Sequence, residues 1–237
     1  MAAEKDKLQK RLCNLSECPD LVESALESSN LLPVWVPHNT CLDTDDRCLH
    51  FTLAVDVTLD PDTAHNHLIL SADGKQVRTG NSSQNRPDNP KRFSPVVSVL
   101  GMQGFTSGRF YYEVEVSGKT AWDFGVARES INRKGPITLT PKNGHWNIWL
   151  RNGDEYAALV DRPVVLSLKE KPERVGVFVD YEAGLVSFYD ADRWNLIYSF
   201  HGAIFPAMWD IDCFEYGCCE PQVLVPELTT HLLFILV

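Results

Sequence analysis

An all-β fold, an antiparallel sandwich, is predicted by three observations. Residues 109–123 alternate apolar and polar side chains with period two and turn at a glycine. Residues 174–190 do the same. That is how strands with one buried face are written. From Val55 onward, many short strand-like runs are separated by Gly, Asn and Pro, the punctuation of a sandwich.

The elements follow in chain order. Residues 2–15 have helical character, with Leu8, Leu12 and Leu15 at i, i+4 and i+7 among Lys, Glu, Asp and Gln. Pro19 interrupts, and Asp20 can cap a second short helix with Leu21, Val22, Ala25 and Leu26 on one side. Isolated helices under about 12–15 residues rarely persist in water. These therefore need a partner surface, either the β domain or another copy of the chain, so a homodimer through the N-terminal helix is an expectation. Pro33 and Pro37 flank Trp35 in what reads as an extended linker over residues 31–54. Strands are expected near residues 55–57, 68–70, 96–100, 110–116, 124–127, 146–151, 155–158, 164–166, 175–180, 185–189 and 196–200. Residues 78–92 hold Gly80, Asn81, Ser82, Ser83, Asn85, Pro87, Asn89 and Pro90. They form a long polar loop, and such loops on a sandwich often bind ligands.

Composition narrows the function classes. The chain has 237 residues, 44% of them hydrophobic and 23% charged, which suits one large β domain with a short appendage. A formal net charge of -10 argues against nucleic acid, whose phosphates call for clustered Lys and Arg. The first eleven residues are charged and lack an apolar run, so no signal peptide is read there. The apolar run at residues 232–237 is far shorter than the roughly 20 residues a membrane helix needs. Seven cysteines without a regular framework favour a reduced, cytoplasmic setting.

Strand periodicity locates a surface. On the 146–151 strand, Trp146, Ile148 and Leu150 share the core face, so Asn147, Trp149 and Arg151 point the other way. On the 122–127 strand, Phe124 and Val126 go inward, so Asp123, Gly125 and Ala127 go outward. Trp and Arg are enriched at binding hot spots. The alternative is that Trp149 packs under a loop and Arg151 makes a surface ion pair.

Three signatures occur in order: Leu59-Asp-Pro61, Tyr112-Glu-Val-Glu-Val116 and Val179-Asp-Tyr-Glu182. With Val57-Thr-Leu-Asp-Pro-Asp-Thr-Ala-His65, Ala121-Trp-Asp-Phe-Gly-Val-Ala127 and Gly144-His-Trp-Asn-Ile-Trp149, the stretch from about Val55 to Met208 resembles the PRY–SPRY (B30.2) module of tripartite-motif (TRIM) proteins and butyrophilins. Tyr112 stands where the family usually has Trp, and Val179 where it usually has Leu. The resemblance implies a bent antiparallel β-sandwich that recognises proteins, in some members a small anionic ligand, and carries no chemistry of its own. It implies ligand-facing positions at Asp123, Trp149 and Arg151, with Arg128, Asn132 and Arg133 on the rim and residues 78–92 as the first variable loop.

The expected layout is a helical tail of a coiled coil over 1–30, the linker over 31–54, the PRY–SPRY domain over 55–208 and an atypical tail over 209–237. Within that tail, Val223-Leu-Val225 is a candidate closing strand. No RING or B-box is read, because Cys13, Cys18, Cys41, Cys48, His38 and His50 are unsuitably spaced. The same objection removes a zinc site at Cys213, Cys218, Cys219, His201 and His231. His65 and His67 read as surface residues, and Glu113 with Glu115 as an outward acidic strand face rather than a hydrolase pair. No cofactor, metal, membrane or nucleic-acid partner is expected. The expected function is target binding by a TRIM-like protein, in ubiquitination or innate immune signalling. The alternatives are a butyrophilin-type sensor of a small anion, or a fragment of a RING-type ubiquitin ligase.

Overall fold

The structure is a computed structural model and describes residues 32–37, 49–203 and 232–236. The chain divides into two compact units, Met1–Val55 and Asp56–Val237. In the first, β1 (Leu32–Pro37) and β2 (Leu49–Ala54) pair antiparallel, with Leu32 opposite Ala54 and Pro37 opposite Leu49. Pro33 and Pro37 thus sit on an edge strand, where a missing N–H is tolerated. The helices expected over residues 1–30, and the dimer contact placed on them, lie outside the described residues.

The second unit is a sandwich of antiparallel strands. One sheet runs β6 (Arg109–Glu115), β11 (Arg174–Asp180), β12 (Leu185–Asp190), β13 (Asn195–Phe200). The other runs β10 (Val164–Leu166), β9 (Glu155–Ala158), β8 (His145–Arg151), β7 (Trp122–Arg128), β14 (Leu232–Leu236), β5 (Val99–Phe105). A small hairpin joins β3 (Leu68–Leu70) and β4 (Val77–Thr79). The core lies between the two large sheets. Phe124, Val126, Trp146, Ile148 and Leu150 are buried, as their alternation predicts. They meet the facing sheet, with Phe124 and Phe188 ring centroids 6.3 Å apart. Tyr112, the departure from Trp, uses its extra hydroxyl across that gap. Its Oη donates to the Gly125 carbonyl at 2.8 Å.

Two expected strands differ. Residues 55–57 carry no ladder. Just beyond them the Thr58 N–H donates to Gln103 Oε1 at 3.0 Å, and only an isolated bridge joins Leu59 to Gly101. The strand expected at 96–100 starts at Val99. The Ser98 carbonyl accepts from the His65 N–H at 3.0 Å, which ties the preceding residues to the loop before β3. Val223-Leu-Val225 lies outside the described residues. The strand found in the sheet comes instead from the terminal apolar run. β14 lies between β5 and β7, with Leu236 opposite both Val99 and Phe124.

Candidate recognition surface

Strands β7 and β8 place the candidate residues. Their register sets Asp123 opposite Trp149, Gly125 opposite Asn147 and Ala127 opposite His145. The strands approach closely at Gly125, where a Cβ would lie 2.1 Å from the Trp146 carbonyl oxygen. Outward side chains therefore alternate along β8 in a row: His145, Asn147, Trp149, Arg151.

Asp123, expected at a ligand-facing position, is paired within the fold. It is buried, at 5% exposure. Arg151 Nη2 donates to its Oδ2 at 2.9 Å, and Nη1 lies 2.6 Å from Oδ1. Nη1 also donates to the Trp122 carbonyl at 3.1 Å and the Leu150 carbonyl at 2.8 Å. The guanidinium then stacks 5.0 Å from the Trp149 ring centroid. Burial raises the Asp123 carboxyl above its usual range, against the opposing pull of Arg151. The carboxylate thus serves to aim Arg151 and Trp149, both half-buried. Arg151 does make the ion pair weighed as its alternative role, but with a buried partner. What faces solvent is an aromatic plane backed by a cation.

Arg128 and Asn132 lie at the other end of β8. They line a cavity of about 330 Å³ together with Ile131, Ile137, Lys142 and His145. The Arg128 guanidinium sits 5.5 Å from the Trp146 ring centroid, and Lys142 pairs with Asp161. Arg133 is turned elsewhere, donating to the Glu129 carbonyl at 2.8 Å. Part of the outward face is closed, since Phe93, Leu100, Ala127 and Ile131 form a small apolar cluster.

His145 and Asn147 are the residues that sequence reasoning left without a role. His145 is almost fully buried, and desolvation lowers its pKa to about 4, so it is neutral at physiological pH. Its Nδ1 has no hydrogen-bond partner, nor do Oδ1 and Nδ2 of Asn147. Alternation put Asn147 on this face. Its unmet amide has no signature in one strand's pattern.

The 78–92 loop is held in place. Arg92, 3% exposed, donates to the carbonyls of Pro87, Pro61 and Ala64 at 3.1, 2.9 and 2.6 Å. Arg86 donates to Leu68 O at 2.9 Å, and Lys134 pairs with Asp88 at 2.7 Å. Glu113 pairs with Arg174 at 2.7 Å. Among the described residues no three His, Cys, Asp or Glu side chains are grouped to hold a metal, and no helix is long and apolar enough to cross a membrane.

An antiparallel sandwich with an aromatic–cation cluster between anchored loops has the architecture of a binding module. The chain belongs to the PRY–SPRY family: residues 57–105 match the SPRY-associated domain (PRY) and residues 109–211 the SPRY domain. It is 57% identical over 142 residues to "Nuclear factor 7, ovary" of Xenopus laevis, covering 60% of this chain and 23% of that protein. It is 48% identical over 168 residues to "E3 ubiquitin-protein ligase TRIM21" of Mus musculus, covering 70% and 36%. The crystal structure of the TRIM65 PSpry domain superposes with a TM-score of 0.57 at 21% identity, covering 77% of this chain and 84% of that one. The chain spans about a quarter to a third of the length of the curated relatives it matches.

Proposed function

We propose that this chain is the target-binding part of a TRIM-like intracellular protein and docks a protein partner on the outward face of β7 and β8. One observation carries the reading: Trp149 and Arg151 stand together, half-exposed, on a rigid sheet and are aimed by the buried carboxylate of Asp123. Trp and Arg are the side chains that most often dominate binding energy. No chemistry is assigned to the chain itself. Ubiquitination or innate immune signalling is the setting this reading implies, with catalytic modules supplied by a longer product of the same gene or by a partner.

The test uses the full chain and its Trp149→Ala variant as paired baits, followed by affinity measurement for each protein retained by the first. Trp149→Ala should weaken a genuine target at least tenfold, about 1.4 kcal/mol or more, with an unchanged thermal transition. Equal affinity for both baits would move the site elsewhere, and a lost transition would make Trp149 structural.

A second reading, capture of a small anion, is favoured by the cavity with Arg128 and Lys142 on its wall. It is the weaker one, because Lys142 already pairs with Asp161. Titration with inorganic pyrophosphate decides it: saturable binding lost in Arg128→Ala would support it.

A further inference from the structure

We propose that the recognition face continues from β8 across β9 to β10, where it takes an extended segment of the protein target carrying apolar side chains at positions i and i+2. This rests on the recognition reading above and names the chemistry of its ligand. Val165 calls for it. It is 80% exposed, at the middle of β10, the last strand of its sheet among the described residues. Edge strands are usually guarded by charge or proline. A valine so exposed contributes little burial to the fold.

The strand registers put Val165 in line with the recognition residues. Asp123 lies opposite Trp149, Trp149 opposite Ala157, and Ala157 opposite Val165. Residues directly opposite across paired strands share a face, so Trp149 and Val165 stand on the same side of the sheet. Ala157 between them is buried and ends at a methyl group, so β9 raises nothing between the two. Neighbouring strands are about 4.8 Å apart, which sets the backbones of β8 and β10 about 10 Å apart. A side chain seated over Ala157 then has an apolar wall within van der Waals reach on either side.

Just past β9 lies Leu159, half-buried, whose N–H donates to the Asn147 carbonyl at 2.9 Å and so continues the pairing with β8. Leu159 and Ala157 are two residues apart, about 6.6 Å along an extended chain, which is the spacing of alternate side chains on a target strand. In the other direction the face turns polar. Arg151 lies opposite Glu155, which accepts from Asn152 Nδ2 at 3.0 Å. An apolar centre with a polar rim is the usual anatomy of a protein interface. Ala157, Leu159 and Val165 carry no side-chain donor or acceptor, so a charge or an amide brought over them loses its water without compensation. An apolar side chain gains burial there instead.

The test needs no knowledge of the target. Random short peptides displayed on phage are selected on the full chain, and the affinity of each enriched peptide is measured for the wild type and its variants. The enriched peptides should share Leu, Ile, Met or an aromatic residue at i and i+2. They should bind Val165→Asp at least about tenfold more weakly, with an unchanged thermal transition. Val165→Thr keeps the shape and puts a hydroxyl in place of a methyl group, so it should also weaken them, whereas Val165→Ile should bind as the wild type does. No enriched peptide, enrichment of charged sequences, or equal affinity for the wild type and Val165→Asp would overturn the proposal. If Val165→Asp loses its transition, the comparison with Val165→Thr decides in its place. A dimer in sedimentation velocity that Val165→Asp abolishes would also overturn it, by assigning the patch to a second copy of the chain. Trp149→Ala separates the two readings. Peptides weakened by Val165→Asp but indifferent to Trp149→Ala would support the patch over β9 and β10 while the reading anchored on Trp149 fails. Peptides weakened by Trp149→Ala but indifferent to Val165→Asp would sink only the extension to β10.

Discussion

His145 shows how one buried side chain couples the site to pH. Its imidazole has a pKa of about 4 in the folded chain against 6.5 for a free histidine, because burial penalises the cation. Below pH 6.5 the unfolded chain binds a proton that the folded chain refuses. Stability therefore falls as pH drops from about 6.5 to about 4 and levels off below, a total of roughly 3 kcal/mol. Asp123 works in the opposite sense. Its raised pKa means that protonation on acidification relieves the folded state. The histidine contribution is thus read as a difference: urea unfolding at pH 7, 5.5 and 4.5 should show a steeper loss in the wild type than in His145→Gln. Parallel losses would assign the slope to other groups. At this scale the sequence was informative where alternation alone decides, as for Trp149 and Arg151 facing away from Trp146 and Ile148. It was silent on the bond between Arg151 and Asp123, because that depends on which residue of β7 lies opposite which residue of β8.

The strands were legible to within a residue or two wherever one face is apolar and the ends are punctuated. β9 and β10 lie where Tyr156 and Leu166 alternate with shorter or exposed neighbours. Legibility failed where side chains or loops take ladder positions. Gln103 occupies the Thr58 amide, and His65 the Ser98 carbonyl. Neither contact leaves a local pattern. Glycine likewise hides its purpose. Gly125 looks like a weak spot in a strand, yet it permits the close approach of β7 to β8. A Cβ there would meet the Trp146 carbonyl oxygen at 2.1 Å and Asn147 Cα at 2.8 Å. Both obstacles are backbone, so relief requires the two strands to part. Gly125→Ala should cost about 1–3 kcal/mol, the range for overpacked cores, and lower the urea midpoint. It should also weaken target binding, because Asp123 and Trp149 lie two residues along the same pair of strands. Gly118, whose Cβ position is open, sits in a turn with positive φ. Alanine there strains only the local backbone, so Gly118→Ala should leave binding intact and serves as the control.

The whole sandwich depends on a strand that arrives last in the chain. β14 lies inside its sheet, laddered to β5 through Leu232–Phe105 and to β7 through Phe234–Val126. In the sequence this run registered only as apolar and too short for a membrane. Its role was illegible because it is written as a continuous apolar run, and because it reaches β5 and β7 from far along the chain. Adjacent strands lie about 4.8 Å apart, so removing one from the interior leaves two neighbours that cannot rejoin without shifting by a full strand width. It also exposes two unpaired edges, an invitation to aggregation. Deleting residues 232–237 should therefore abolish the cooperative thermal transition or lower the Tm by about 10 °C or more, with aggregation visible in light scattering. Phe234→Pro tests the same point without shortening the chain. It removes one ladder N–H and forces φ at the centre of a strand flanked on both sides, so it should reproduce the deletion in weaker form. Because β7 borders β14 on one side and β8 on the other, both changes should release Asp123 and Trp149 from their mutual register. If target binding and the thermal transition survived the deletion unchanged, β5 and β7 would have to be held by the facing sheet alone, and the recognition face would be independent of the end of the chain.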